Sequence, residues 1–219
     1  MRTVSIVLCL VLISFSNGPR ARAVDLVQIV VDSTSMDVTD SYKDISVTLF
    51  NPLSEAVNIA SFSLKLHITP TSPRQVEFDA ATQPDTLNET FYIFSGNSAA
   101  FDDATSPWSV SSDGGVNDGY TFADTTSDTL NVSIGAGESK LLAKVRLKPG
   151  TALGGDIYGL GIVSTGTELI DADFAIIDFA GIDGVITVVP EPGAGLLGTL
   201  SCAAILAFRR RRDFEAGAG

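Results

Sequence analysis

Ser61–Thr69 reads Ser-Phe-Ser-Leu-Lys-Leu-His-Ile-Thr, in which polar and apolar residues alternate without a break. A period of two is what an extended strand with one buried face requires, whereas a helix of the same sequence would scatter its apolar groups around the whole circumference. The pattern recurs. Ile45, Val47 and Leu49 alternate with Ser46 and Thr48, and Leu141, Ala143, Val145 and Leu147 alternate with Leu142, Lys144, Arg146 and Lys148. Residues 26–31, 91–94, 130–134, 157–163 and 185–189 are further strand candidates. Between them lie turn-forming groups: Asn51-Pro52, Pro70 with Pro73, Ser112-Asp113-Gly114-Gly115, Gly135-Ala136-Gly137, Pro149-Gly150 and Gly154-Gly155. Many short strands punctuated in this way predict an all-β fold, a single antiparallel β-sandwich whose two sheets bury their apolar sets about 10 Å apart. Residues 75–128 are the least regular and read as long loops of the same domain.

The two ends are composed differently. Arg2, an apolar run over residues 4–15 and Ala21-Arg22-Ala23 have the layout of a secretory signal peptide over residues 1–23, cut after Ala23. Near the other end, residues 193–208 carry no charge and are followed by Arg209, Arg210, Arg211 and Arg212. Such a run is long enough for a single short transmembrane helix, and the arginines would stay on the cytoplasmic side. Residues 24–189 are then the exported β-sandwich domain, 190–212 a tail and 213–219 a short cytoplasmic end. Both cysteines, Cys9 and Cys202, fall in the end segments, so a disulfide framework is excluded from the domain. Residues 24–189 hold 23 carboxylates against 7 Lys or Arg, a net charge of −16. A domain of that charge repels nucleic acid and anionic lipid, which removes both from its expected partners.

Val189-Pro190-Glu191-Pro192, an apolar helix and an arginine cluster, in that order, resemble the PEP-CTERM sorting signal. The resemblance implies that Pro190, Glu191 and Pro192 are recognised by an exosortase, a membrane-embedded cysteine transpeptidase that removes the tail. The processed protein would pass to the cell envelope or an exopolysaccharide matrix. The prolines suit a processing site, because they fix φ and keep Val189 and Glu191 out of the helical region. Residues 213–219 extend beyond the arginines, where family tails often stop. The middle is similar to cohesin-like and carbohydrate-binding sandwiches, of jelly-roll or immunoglobulin-like form. It has strands at residues 26–32, 45–51 and 61–69, a Gly-rich turn into residues 139–147 and a last strand just before the tail. That similarity is one of fold and does not by itself assign a function.

The inventory for catalysis is thin. His67 is the one histidine, on the polar face of its strand, and there is no G-x-S-x-G elbow and no cysteine nucleophile in the domain. No enzymatic activity is expected. Calcium is the cofactor that the composition would suit, through Asp113, Asn117 and Asp118 in an Asp/Gly-rich loop, although the spacing is not that of an EF-hand. A sugar would need a ring to stack on, and Trp108 and Tyr120, near Phe101 and Phe122, are the candidates. Lys140, Lys144, Arg146 and Lys148 form a basic stripe, expected to pair with carboxylates of neighbouring strands. The expected function is that of an exported cell-surface or matrix protein with a structural or interaction role. The alternative is a carbohydrate- or protein-binding module, calcium-stabilised.

Overall fold

A computed structural model describes residues 26–70, 74–113, 115–128 and 130–190, with the Asp113 side chain excluded. The signal-cleavage residues Ala21 and Ala23, the motif residues Glu191 and Pro192, and Arg209, Arg210, Arg211 and Arg212 lie outside them. Among the described residues, no helix is long and apolar enough to cross a membrane.

Two sheets face each other. One contains β1 (Val27–Val31), β3 (Lys43–Phe50), β6 (Glu77–Phe78), β10 (Ser139–Lys148) and β13 (Phe179–Ile182), in the order β13-β1-β3-β10-β6. The other contains β2 (Thr34–Asp37), β5 (Ser61–Thr69), β7 (Trp108–Asp113), β8 (Val116–Thr125), β11 (Ile157–Ile162) and β14 (Gly184–Val189), in the order β2-β14-β11-β5-β8-β7, and β12 (Glu168–Ile170) also pairs with β5. A small separate pair joins β4 (Val57–Ile59) to β9 (Val132–Ile134). The alternation expected from the sequence sets the inner faces: Phe62, Leu64, Leu66 and Ile68 of β5 are buried, as are Val27, Ile29 and Val31 of β1 and Ile45, Val47 and Leu49 of β3. Each such side chain contributes roughly 1.5–3 kcal/mol on burial.

The sandwich is not purely antiparallel. β1 runs parallel to β13, and β2 runs parallel to β14. The first and last segments travel side by side and change sheets together, at residues 32–33 and at Asp183. The Ser33 hydroxyl accepts from Val185 N–H at 3.0 Å across the crossing. Gly184 makes room for it, since a Cβ there would lie 2.6 Å from the Asp32 carbonyl oxygen.

Residues 75–128 are also more regular than their sequence suggested. β7 and β8 form a hairpin that completes the second sheet, with Trp108 opposite Phe122 and Val110 opposite Tyr120. Residues 91–94 do not form a strand; instead Leu141 N–H donates to the Phe91 carbonyl and Ile93 N–H to the Leu141 carbonyl, both at 2.9 Å. A bulge between Leu141 and Ala143 shifts the register of β10. It turns Leu142, placed on the polar face by strict alternation, fully into the core.

Beyond the two residues of β6, the edge of β10 is closed by side chains. The Gln83 amide accepts from Arg146 N–H at 2.8 Å and donates to the Arg146 carbonyl at 3.3 Å. The Thr86 hydroxyl accepts from Lys144 N–H at 2.9 Å and donates to its carbonyl at 3.4 Å. Two side chains thereby take the place of the peptide groups of a missing strand.

A related substitution occurs on β5. β11 and β12 read as one strand along β5, interrupted by residues 163–167: Ile162 pairs with Leu66 and Glu168 with Ser63. The interrupting residues loop outward, and the Thr167 hydroxyl accepts from Lys65 N–H at 2.9 Å, filling the gap they leave.

Candidate functional site: a sheet face of small residues

The outer faces of the two sheets differ in chemistry. That of the five-stranded sheet is charged and internally paired. Arg146 grips Asp44 with two hydrogen bonds of 2.7 and 2.8 Å, and its guanidinium lies 3.9 Å above the Tyr42 ring. Lys144 pairs with Glu89, and Lys148 Nζ lies 2.8 Å from Asp79 Oδ1. Three cations of the basic stripe are therefore paired within the chain: Arg146 with a carboxylate of a neighbouring strand, as its pattern predicted, and Lys144 and Lys148 with carboxylates outside the strands, while Lys140 makes no ion pair with any described residue.

The outer face of the seven-stranded sheet carries small residues. The register aligns Ser111 of β7, Gly119 of β8, His67 of β5 and Gly161 of β11 across four strands. One step along, Ser109 and Thr121 share a hydrogen bond of 2.6 Å beside Lys65. Ser111 Oγ lies directly over Gly119, in the space a Cβ would need, and a Cβ on Gly159 would lie 3.0 Å from Thr69 Oγ1. His67 thus stands between two glycines and is the tallest side chain in its row. Its Nε2 lies 3.3 Å from Oδ2 of Asp118, a carboxylate side chain 3% exposed against 37% for the imidazole. The buried acid fixes the ring's orientation, and the exposed ring edge faces solvent. The outward loop at residues 163–167 forms a raised border, with Ser63 Oγ donating to the Gly166 carbonyl at 3.0 Å. The result is a shallow platform with a rim, one imidazole and one lysine. Lys65 makes no ion pair with any described residue.

The residues singled out from sequence are placed differently from one another. Asn117 Nδ2 points to Glu77 Oε2 at 3.5 Å, while Asp118 faces His67, so the two are committed to separate partners. Among the described residues, no group of three or more His, Cys, Asp or Glu side chains is arranged to hold a metal ion. Tyr120 is 1% exposed, with its ring centroid 5.4 Å from that of Phe78, so it has no face to offer a sugar. Burial pushes its hydroxyl's pKa far up, and that hydroxyl has no hydrogen-bond partner among the described residues. Trp108 is half-buried and lines a cleft of about 380 Å³ together with Pro84, Asp85, Leu87, Ser106 and Pro107. Pro190 is exposed immediately after β14.

Sequence reasoning missed a buried polar cluster behind this cleft. The Asp124 carboxylate accepts from the Tyr92 hydroxyl at 2.5 Å, the Ser98 hydroxyl at 2.6 Å, Thr125 N–H at 2.8 Å and Ala100 N–H at 3.1 Å. Burial, and then the carboxylate beside it, push the Tyr92 pKa far up. With four donors satisfying one buried acid, the cluster locks the irregular residues 92–100 onto β8 and offers no group poised for chemistry.

No protein-family profile and no curated relative matches the sequence. Solved structures do match. The sixth cohesin of scaffoldin B from Acetivibrio cellulolyticus, solved with a Cel5 dockerin, aligns with a TM-score of 0.51 at 8% identity, over 74% of this chain and 99% of that one. The fold is that of a cohesin module. Two Clostridium thermocellum cohesins from type I cohesin–dockerin complexes agree. OlpA aligns at TM-score 0.50 and 8% identity over 75% of this chain and 99% of its own, and OlpC at 0.50 and 11% over 76% and 95%.

Proposed function

We propose that this chain is an exported cell-surface or matrix protein whose cohesin-like domain docks a folded protein partner on the outer face of the seven-stranded sheet. The observation that carries the docking reading is the contrast between the two faces. One sheet neutralises its own charges, while the other keeps a platform of Ser, Gly and Thr around His67 and Lys65, a lysine that makes no ion pair with any described residue. The small neutral groups of this face cost little to desolvate, and rigid strands hold it in shape. The cohesins of like fold were solved holding dockerins, which supports a protein partner as the class of ligand. Export rests on the signal-like residues 1–23. Sorting by an exosortase rests on Pro190, Glu191 and Pro192 with the arginine cluster, and the sorting residues start where the last strand ends.

The test is photo-crosslinking in the native host from a reactive residue at Thr121, with Thr48 on the charged face as control. A protein captured from Thr121 and lost in His67→Ala supports docking. Equal capture from both positions would sink it.

The Trp108 cleft favours a second reading, a saccharide ligand stacked on the indole and hydrogen-bonded by Asp85 and Ser106. A glycan retained by the chain and released by Trp108→Ala would select it; no retention of host polysaccharide would remove it.

A further inference from the structure

The edge of the five-stranded sheet at β13 is unlike the others. β6 is two residues long and continued by side chains, β7 carries serines, and β2 carries Thr, Ser and Asp. β13 reads Phe-Ala-Gly-Ile, with no lysine, no proline and no charge, and among the described residues no strand pairs with its outer side. Edge strands are ordinarily guarded by such residues, because open N–H and C=O groups invite another strand. Beside it runs a groove of about 410 Å³ in which Ile162, Ile176, Ile177 and Phe179 alternate with polar and acidic groups, Ser164, Asp178 and Asp183. Ile176 is 68% exposed and Ile182 43%. Two residues before Ile176 in the chain, Phe174 is 89% exposed and has φ of 62°, in the left-handed region where a bulky side chain is strained.

Charge identifies what fits there. Residues 168–190 contain five carboxylates and no Lys, Arg or His. Two of the five serve the fold. Asp171 Oδ1 accepts from the N–H groups of Asp173 and Ala175, and Asp183 Oδ1 from Ile162 N–H. Asp173 and Asp178 are exposed. A second copy of this edge would set acid against acid, which disfavours self-pairing. We infer that the β13 edge and its groove bind an extended, cationic segment of a partner protein, one that alternates apolar residues with Lys or Arg. The segment adds as a further strand, seats its apolar residues on Ile176 and Phe179, and meets Asp173 and Asp178 with its cations. The β13 edge belongs to the other sheet from the docking platform; the groove's far wall, Ile162 and Ser164, adjoins the platform's border, but the inference does not depend on docking there.

The test titrates the full chain, held in neutral detergent, with a fluorescein-labelled peptide of alternating lysine and valine, and reads anisotropy and amide hydrogen exchange. Saturable binding that protects those amides of residues 179–182 that face away from β1, and that weakens about tenfold or more in Asp173→Lys with Asp178→Lys, supports the inference. The glutamate–valine peptide should not bind. Binding unchanged in the double variant would mean a general response to an acidic surface and would overturn the site. Two other results also overturn it: the amides of residues 179–182 that face away from β1 already protected in the free chain, which would mean that its own residues cover the edge, and a concentration-dependent dimer abolished by the double variant.

Discussion

Asp79 concentrates several forces on one carboxylate. Burial alone would raise its pKa, but Lys148, the Ala81 and Thr82 N–H groups and the Thr82 hydroxyl at 2.8 Å outweigh that and hold it at about 2, below its ordinary 3.8. The charged form is therefore favoured in the folded state. The resulting stability is complete above pH 3.8 and is lost as pH falls from there through about 2. Asp79→Asn should lower Tm at pH 7 by the equivalent of about 2 kcal/mol and flatten acid unfolding in that window, as followed by circular dichroism. Tyr120 has the opposite character, a core hydroxyl with no hydrogen-bond partner among the described residues. Tyr120→Phe removes that polar burden and keeps the ring stack, so denaturant melts should show a gain of about 1 kcal/mol. From sequence, Tyr120 looked like a sugar platform because an aromatic among Ser, Thr and Gly resembles an exposed one. Only its pairing with Leu66 of β5 shows that it points inward.

Elements differ in how plainly they announce themselves. β5, β3 and most of β10 were legible because one face is apolar and the other polar over eight or more residues. The β7–β8 hairpin was hidden because its outward residues are Ser, Gly and Thr, which read as loop, and β13 because it is short and apolar on both faces. The docking platform was invisible for a further reason: Ser111, Gly119, His67 and Gly161 come together only through the register of four strands distant in sequence. The closed edge of β10 was equally hidden, since Gln83 and Thr86 imitate peptide groups from outside any strand. Removing both imitators exposes the N–H groups of Lys144 and Arg146 and the Lys144 carbonyl, while the Arg146 carbonyl keeps its bond from Asp79 N–H. Gln83→Ala with Thr86→Val should cost about 2–4 kcal/mol and raise amide exchange at Lys144 and Arg146 specifically.

At the level of the whole molecule, a domain of net −16 repels itself. Added monovalent salt should therefore raise its Tm at pH 7, and a Tm insensitive to salt would show that the paired cations of β10 already balance the field. Intact mass of the protein from its native host reports on sorting. Loss of both end segments in the wild type, with the tail kept in Pro190→Ala plus Glu191→Ala, is the expected outcome. The outward loop at residues 163–167 carries a broader implication. The chain leaves β5 at Leu66 and rejoins it at Ser63 whatever happens between, so the number of residues there is decoupled from the sheet. Doubling such a loop costs only about 0.6 kcal/mol in closure entropy. Descendants of this gene can lengthen or rewrite the border of the platform while the buried layer beneath inherits its packing untouched.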